Sequence, residues 1–165
     1  VIKIEINYLD RTHIFPVNQK NVNVLGYKGT TKISILNKYE LYGSKLAALI
    51  ARSKPRDVYD VYQMIKSHLL ENTEILKKVN ELRAGALLSY VNIAINIIDF
   101  NIDKFDAMSK RDFDRMLKPM LSKDEKFDYK KTIGEIQQFL KKLLCFTDDE
   151  RLFVEEFKNK KYTCH

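Results

Sequence analysis

A change of hydrophobic period at Asn37 constrains this chain more than any other feature. Before it, apolar residues recur at every second position: Ile2, Ile4 and Ile6 alternate with Lys3, Glu5 and Asn7. That spacing puts the isoleucines on one face of a strand and Glu5 on the other. Further extended segments are predicted over residues 13–17, 22–27 and 32–36, separated by polar or glycine-containing turns such as residues 26–29. After Asn37 the spacing is helical and stays so. The fold expected is α+β, mainly α, with a small and partial sheet over residues 1–36 followed by a helical bundle over residues 37–165.

Helix boundaries follow from caps and breakers. Asn37 can cap a helix running to about Ala51, with Glu40 three residues on, where a capping box places its acid. Ser53, Lys54 and Pro55 break the chain, because proline suits a first helical turn and keeps the residue before it out of helical geometry. A second helix to about Ser67 carries Val58, Val61, Tyr62 and Ile65 as one apolar stripe. A third starts near Asn72 or Thr73. Gly85 marks a bend before an apolar helix over residues 86–98, read as the buried centre of the bundle. Residues 99–126 are charged and hold Pro119, which predicts short helices and loops. Two final helices are expected over residues 133–146 and 148–157, the second capped by Thr147 with Glu150.

The 165 residues suffice for one domain, or for a small sheet layer joined to a helical lobe. With 45% hydrophobic and 31% charged residues a packed core is expected, not disorder. The longest apolar stretch, residues 90–100, is interrupted by Asn92, Asn96 and Asp99, so no membrane span is read. No secretory signal opens the sequence, and Val1 begins with a strand pattern under way, so residues before Val1 are expected. Cys145 and Cys164 make no disulfide framework, which fits a reducing, cytoplasmic setting. The net charge of +7 favours encounter with polyanions, although a solvated lysine-rich surface explains it equally.

The stretch that carries chemistry is residues 39–62, YELYGSKLAALIARSKPRDVYDVY. Lys45 lies four residues after Leu41 and four before Leu49, interrupting an apolar column. It must therefore snorkel to water, pair with a carboxylate or face a polar cleft. Asp57 falls in the first turn of the second helix, where a negative side chain meets the positive end of the helix dipole. Asp60 stands four residues from Arg56, the spacing of a surface ion pair. Both aspartates thus have structural explanations beside any catalytic one.

The pattern as a whole resembles the AbiEii/AbiGii nucleotidyltransferase toxins. Leu41, Lys45, Leu46, Ala48, Leu49, Arg52, Pro55, Arg56, Asp57, Tyr59, Asp60 and Tyr62 are similar to that family's Leu-rich helix bearing Lys and ending in Arg, followed by an Arg-Asp-x-Tyr-Asp helix. IKIEINY at residues 2–8 resembles its acidic-residue strand, and TDDERLFVEEFKNKKY at residues 147–162 its final helix. The family's Gly-Ser turn with a following Asp-x-Asp pair, which binds metal and triphosphate, does not occur in residues 1–36, and Gly43-Ser44 lies in a helical pattern without it.

The resemblance implies a toxin of a toxin–antitoxin or phage-defence system that transfers a nucleotide to RNA, with tRNA indicated by related members. It implies that Lys45 neutralises nucleotide phosphate, with Arg52 beside it, that Asp57 is a catalytic or orienting carboxylate, and that Glu5 sits near the metals. Arg56 and Asp60 then support the site, or with Arg52 hold the two helices in register by ion pairs. Mg2+ and a nucleoside triphosphate are implied for the full-length enzyme. This sequence alone is expected to hold neither and to be inactive. The partners implied are an antitoxin protein and RNA. The alternative, favoured by the basic excess, is a helical module that binds RNA or an antitoxin without chemistry, and a truncated homologue of structural value only is a third reading. His13, His68 and the Cys164-His165 pair stand without further ligands near in sequence. The lysine-rich region 71–161, with its interspersed Tyr and Phe, reads as bundle core with a solvated exterior before it reads as a nucleic-acid surface.

Overall fold

A computed structural model describes residues 15–24, 27–70 and 97–159. Strands β1 (Asn18–Val24) and β2 (Tyr27–Ile35) pair antiparallel, with Asn18 opposite Ile35, Val24 opposite Tyr27 and an irregularity between Asn21 and Asn23. Gln19 Nε2 donates to Ser34 Oγ at 2.7 Å across the pair. The small sheet is thus present, but its register corrects the sequence reading. Phe15, Pro16 and Val17 are not strand, residues 18–21 are, and Gly29 lies inside β2, not in a turn. The reason is solvation: the side chains of residues 18–21 and 30–34 are all exposed, so neither face imposes apolar alternation on the sequence. The Ile2, Ile4, Ile6 strand pattern and His13 lie outside the described residues.

The helical boundaries come closer. Helix α1 (Lys38–Arg52) begins at Asn37, whose Oδ1 accepts from the Tyr39 N–H at 3.0 Å, and ends at Ser53, left-handed at φ 47°, whose N–H reaches the Leu49 carbonyl at 2.9 Å. Helix α2 (Pro55–Lys66) follows with Pro55 in its first turn. Val58, Val61 and Met64 are buried, whereas Tyr62 and Ile65 of the expected stripe are half-buried. The segments expected over residues 72–82 and 86–96 lie outside the described residues.

Short elements fill the charged stretch as anticipated: a 3₁₀ helix over Ile102–Ala107, α3 (Lys110–Met116) and a 3₁₀ turn over Lys118–Met120. A capping box opens α3, with the Ser109 N–H on Asp112 Oδ2 at 3.0 Å and the Asp112 N–H on Ser109 Oγ at 3.3 Å. Helix α4 (Tyr129–Leu143) starts four residues before the predicted Ile133, because Asp128 Oδ1 accepts from the Lys130 and Lys131 N–H groups, both at 3.1 Å. Its first turn is mostly polar, so apolar periodicity did not reveal it. Helix α5 (Asp148–Lys158) is capped as expected, the Thr147 N–H meeting Glu150 Oε2 at 2.7 Å.

Leu46 and Leu49 of α1, Val58 and Val61 of α2, Phe105, and Ile136 and Leu140 of α4 are fully buried in one cluster. Each such side chain contributes roughly 1.5–3 kcal/mol. A second cluster joins Ile50, Ile97, Phe146 and Val154. Lys104 stitches the two together: its Nζ donates to the Ile50 carbonyl at 2.7 Å in the last turn of α1 and stands 4.1 Å from the Phe100 ring. Burial there pushes its ammonium pKa down.

Candidate functional site at the seam of the first two helices

Helices α1 and α2 form an antiparallel pair because Ser53 and Lys54 turn the chain directly between them. Lys45 and Arg52 are seven residues apart, two helical turns, and therefore project from the same side of α1. Asp57 and Asp60 are three apart and share a side of α2. The antiparallel arrangement brings these faces together in two rungs. Arg52 Nη2 meets Asp57 Oδ1 at 2.5 Å next to the turn, and Lys45 Nζ meets Asp60 Oδ2 at 2.7 Å one step further.

The rungs differ in burial. Lys45 and Asp60 keep 46% and 40% of their side chains exposed, so their pair is a surface pair worth about 0–1 kcal/mol. In the other rung the Arg52 side chain is 55% exposed and the Asp57 side chain 7%. Asp57 Oδ2 is fully buried and has no hydrogen-bond partner among the described residues. Such an oxygen costs about 1–3 kcal/mol, which a donor brought to it would recover.

Two expectations change at this seam. The column Leu41, Lys45, Leu49 is not one apolar stripe: Leu41 is exposed and Leu49 is fully buried. Each step of four residues rotates the helix by about 40°, so the column drifts from solvent to core and Lys45 lies on the boundary. Asp60 takes Lys45 as its partner in place of Arg56, which is exposed and in no ion pair among the described residues. A partner on the facing helix wins because both side chains already point into the seam. Lys45 and Asp57 consequently share the seam while each holds a different partner. Glu5 lies outside the described residues.

Sequence inspection missed a connection behind the seam. Tyr59 Oη donates to Glu125 Oε1 at 2.6 Å, and Gln63 Nε2 donates to the same oxygen at 3.3 Å. The bond to Glu125, ahead of burial, raises the Tyr59 phenol above its ordinary pKa. Phe127 lies edge-on to both Tyr59 and Tyr62, with centroids 5.7 and 6.1 Å away. Nothing in local spacing joins residues so distant in sequence. Glu40, expected as the acid of a capping box, is instead buried at 6% exposure.

No group of three or more His, Cys, Asp or Glu side chains is placed to hold a metal among the described residues. The two seam aspartates are each already paired with a cation, so by themselves they do not form a divalent-metal site. What the seam offers is two exposed cations able to meet phosphate and one buried carboxylate oxygen able to accept a proton or hydrogen bond.

A family model described as nucleotidyl transferase AbiEii toxin, type IV toxin–antitoxin system, matches residues 1–141. The match takes in the whole seam, α3 and most of α4, and stops short of the resemblance at residues 147–162. No curated protein and no solved structure matches the chain.

Proposed function

This chain belongs to the AbiEii nucleotidyl transferase toxin family of type IV toxin–antitoxin systems, and on that premise we propose that it takes part in transferring a nucleotide from a nucleoside triphosphate to an RNA acceptor, tRNA included. The observation that carries the reading is the two-rung seam. A weak, exposed Lys45–Asp60 pair gives way to a polyphosphate at little cost, since the phosphate returns a charge-assisted contact of equal or greater strength. Arg52, more than half exposed, has guanidinium donors left for a second phosphate contact.

Asp57 acts as the orienting or proton-accepting carboxylate. Arg52 fixes one of its oxygens, and the other, buried and without a partner, remains for a donor on the substrate. Asp60 and Arg56 support the seam. Nucleotidyl transfer depends on positioning and on stabilising phosphate charge, which suits a site built from fixed cations and one oriented carboxylate. Mg2+ would neutralise phosphate charge, with Glu5 as one ligand from residues 1–36, which we take as part of the catalytic sheet. The described residues do not complete its site. The sequence contains no Gly-Ser turn followed by an acidic pair, so transfer should require that motif from elsewhere in the full-length protein. An antitoxin is the protein partner that the family implies.

The test is incorporation of labelled nucleotide into RNA by the full-length protein and its Lys45→Ala and Asp57→Ala variants. Both variants should lose transfer by about a hundredfold or more while circular dichroism stays that of the wild type. Full activity in either variant would overturn the assignment.

A further inference from the structure

We infer that the cleft of about 220 Å3 between α3, the 3₁₀ turn after it and the start of α4 holds a single unpaired nucleobase. Its size lies below the roughly 300–1,000 Å3 of pockets for drug-sized ligands, so it suits one planar ring system and no extended ligand. Three of its walls are aromatic: Phe113 stands 5.7 Å from Phe127 and 5.4 Å from Tyr129, centroid to centroid. Leu117 and Leu121 complete the apolar lining. Aromatic walls of this kind accept any flat π system.

The polar groups narrow the choice. Glu125 lines the cleft, and both hydrogen bonds to it, from Tyr59 and Gln63, fall on Oε1. Oε2 is left as an acceptor. An aliphatic ligand would cover this carboxylate without supplying a donor, which is unfavourable. A ring bearing N–H groups on its edge satisfies it. At the rim, Asp114 is taken up by Lys110 at 2.5 Å, while Lys118 is exposed and in no ion pair among the described residues. Lys118 is therefore available for an anion beside the ring. A flat ring with edge donors and an adjacent phosphate is a nucleotide; an aromatic peptide side chain lacks the phosphate.

Tyr59 and Gln63, which hold Glu125, belong to the same helix as Asp57 and Asp60. The cleft is thus fixed rigidly to the seam. Its role as an acceptor-strand pocket rests on the transferase reading above, but base binding there does not.

Fluorescence polarisation of a labelled single-stranded oligoadenylate on the full-length protein tests the proposal, with AMP and inorganic polyphosphate as competitors. Glu125→Gln, which keeps an acceptor for Tyr59, and Lys118→Glu, on an exposed side chain, should each weaken binding about tenfold, the size of one lost charge-assisted contact. Competition by AMP identifies a free nucleotide as the source of the base, and binding of the strand alone identifies RNA; either supports the cleft. Polyphosphate competing as well as AMP or RNA, or wild-type affinity in both variants, would overturn it. Lys45→Ala separates the two readings. If it retains oligoadenylate binding and full transfer, the transferase assignment fails and the cleft stands. If transfer proceeds but the cleft variants leave the KM for RNA unchanged, the cleft fails and the transferase stands.

Discussion

Lys45 and Arg52 carry the same charge on the same side of one helix, yet their loss should cost different amounts. Arg52→Ala strips a buried carboxylate of its one described partner and should destabilise by about 1–3 kcal/mol. Lys45→Ala breaks an exposed pair and should stay within about 1 kcal/mol. Urea midpoints of the two variants decide this, and equal losses would contradict the difference in burial. Tyr59 supplies a pH test. Its phenol is raised above the ordinary 10.0 first by the bond to Glu125, so the folded chain holds that proton more tightly than the unfolded one. The stability this contributes is fully present below the ordinary value and is lost as pH rises through the folded value. Tyr59→Phe should therefore flatten the alkaline fall in stability; a fall as steep as that of the wild type would show that the bond does not govern it.

Among the elements, α4 is the clearest place to separate cap from interior. Asp128 satisfies two N–H groups of its first turn, and Asp128→Ala should cost about 0.5–2 kcal/mol. Gly134 sits inside the same helix with nothing within 4 Å of where a Cβ would stand. Alanine there removes backbone freedom from the unfolded chain without a clash, so Gly134→Ala should stabilise by roughly 0.5–1 kcal/mol. Thermal unfolding of both variants should move in opposite directions. A loss of stability on Gly134→Ala would mean that the glycine serves a close approach the described residues do not show.

At the scale of the whole molecule, the +7 charge acts through encounter, not through the fold. If the protein meets RNA through phosphate contacts, gel-shift affinity for tRNA should fall steeply between about 50 and 200 mM salt, by tenfold or more. Affinity independent of salt would leave the basic surface as a solvated exterior. No helix among the described residues is long and apolar enough to cross a membrane. The fold that carries the charge is joined through α2, which packs on α1 at the seam and on α3 and α4 behind it. One helix thereby supports both the ion-pair seam and the aromatic cleft.

Residue order alone determined where the polypeptide turns helical, because caps and breakers are local: Asn37, Pro55 and the Thr147 and Glu150 pair act on groups within one turn of themselves. It also pointed to Lys45, Arg52, Asp57 and Asp60 as a set, since their spacing on two successive helices is fixed by 3.6 residues per turn. It left the strand register open, because a hairpin solvated on both faces writes no apolar pattern. Tertiary structure alone decided which cation meets which aspartate and which carboxylate is buried. Burial and pairing across a seam depend on the approach of two helices, and the link from Tyr59 to Glu125 depends on a third region of chain folding over α2. Distances of that kind are set by packing, which no local spacing encodes.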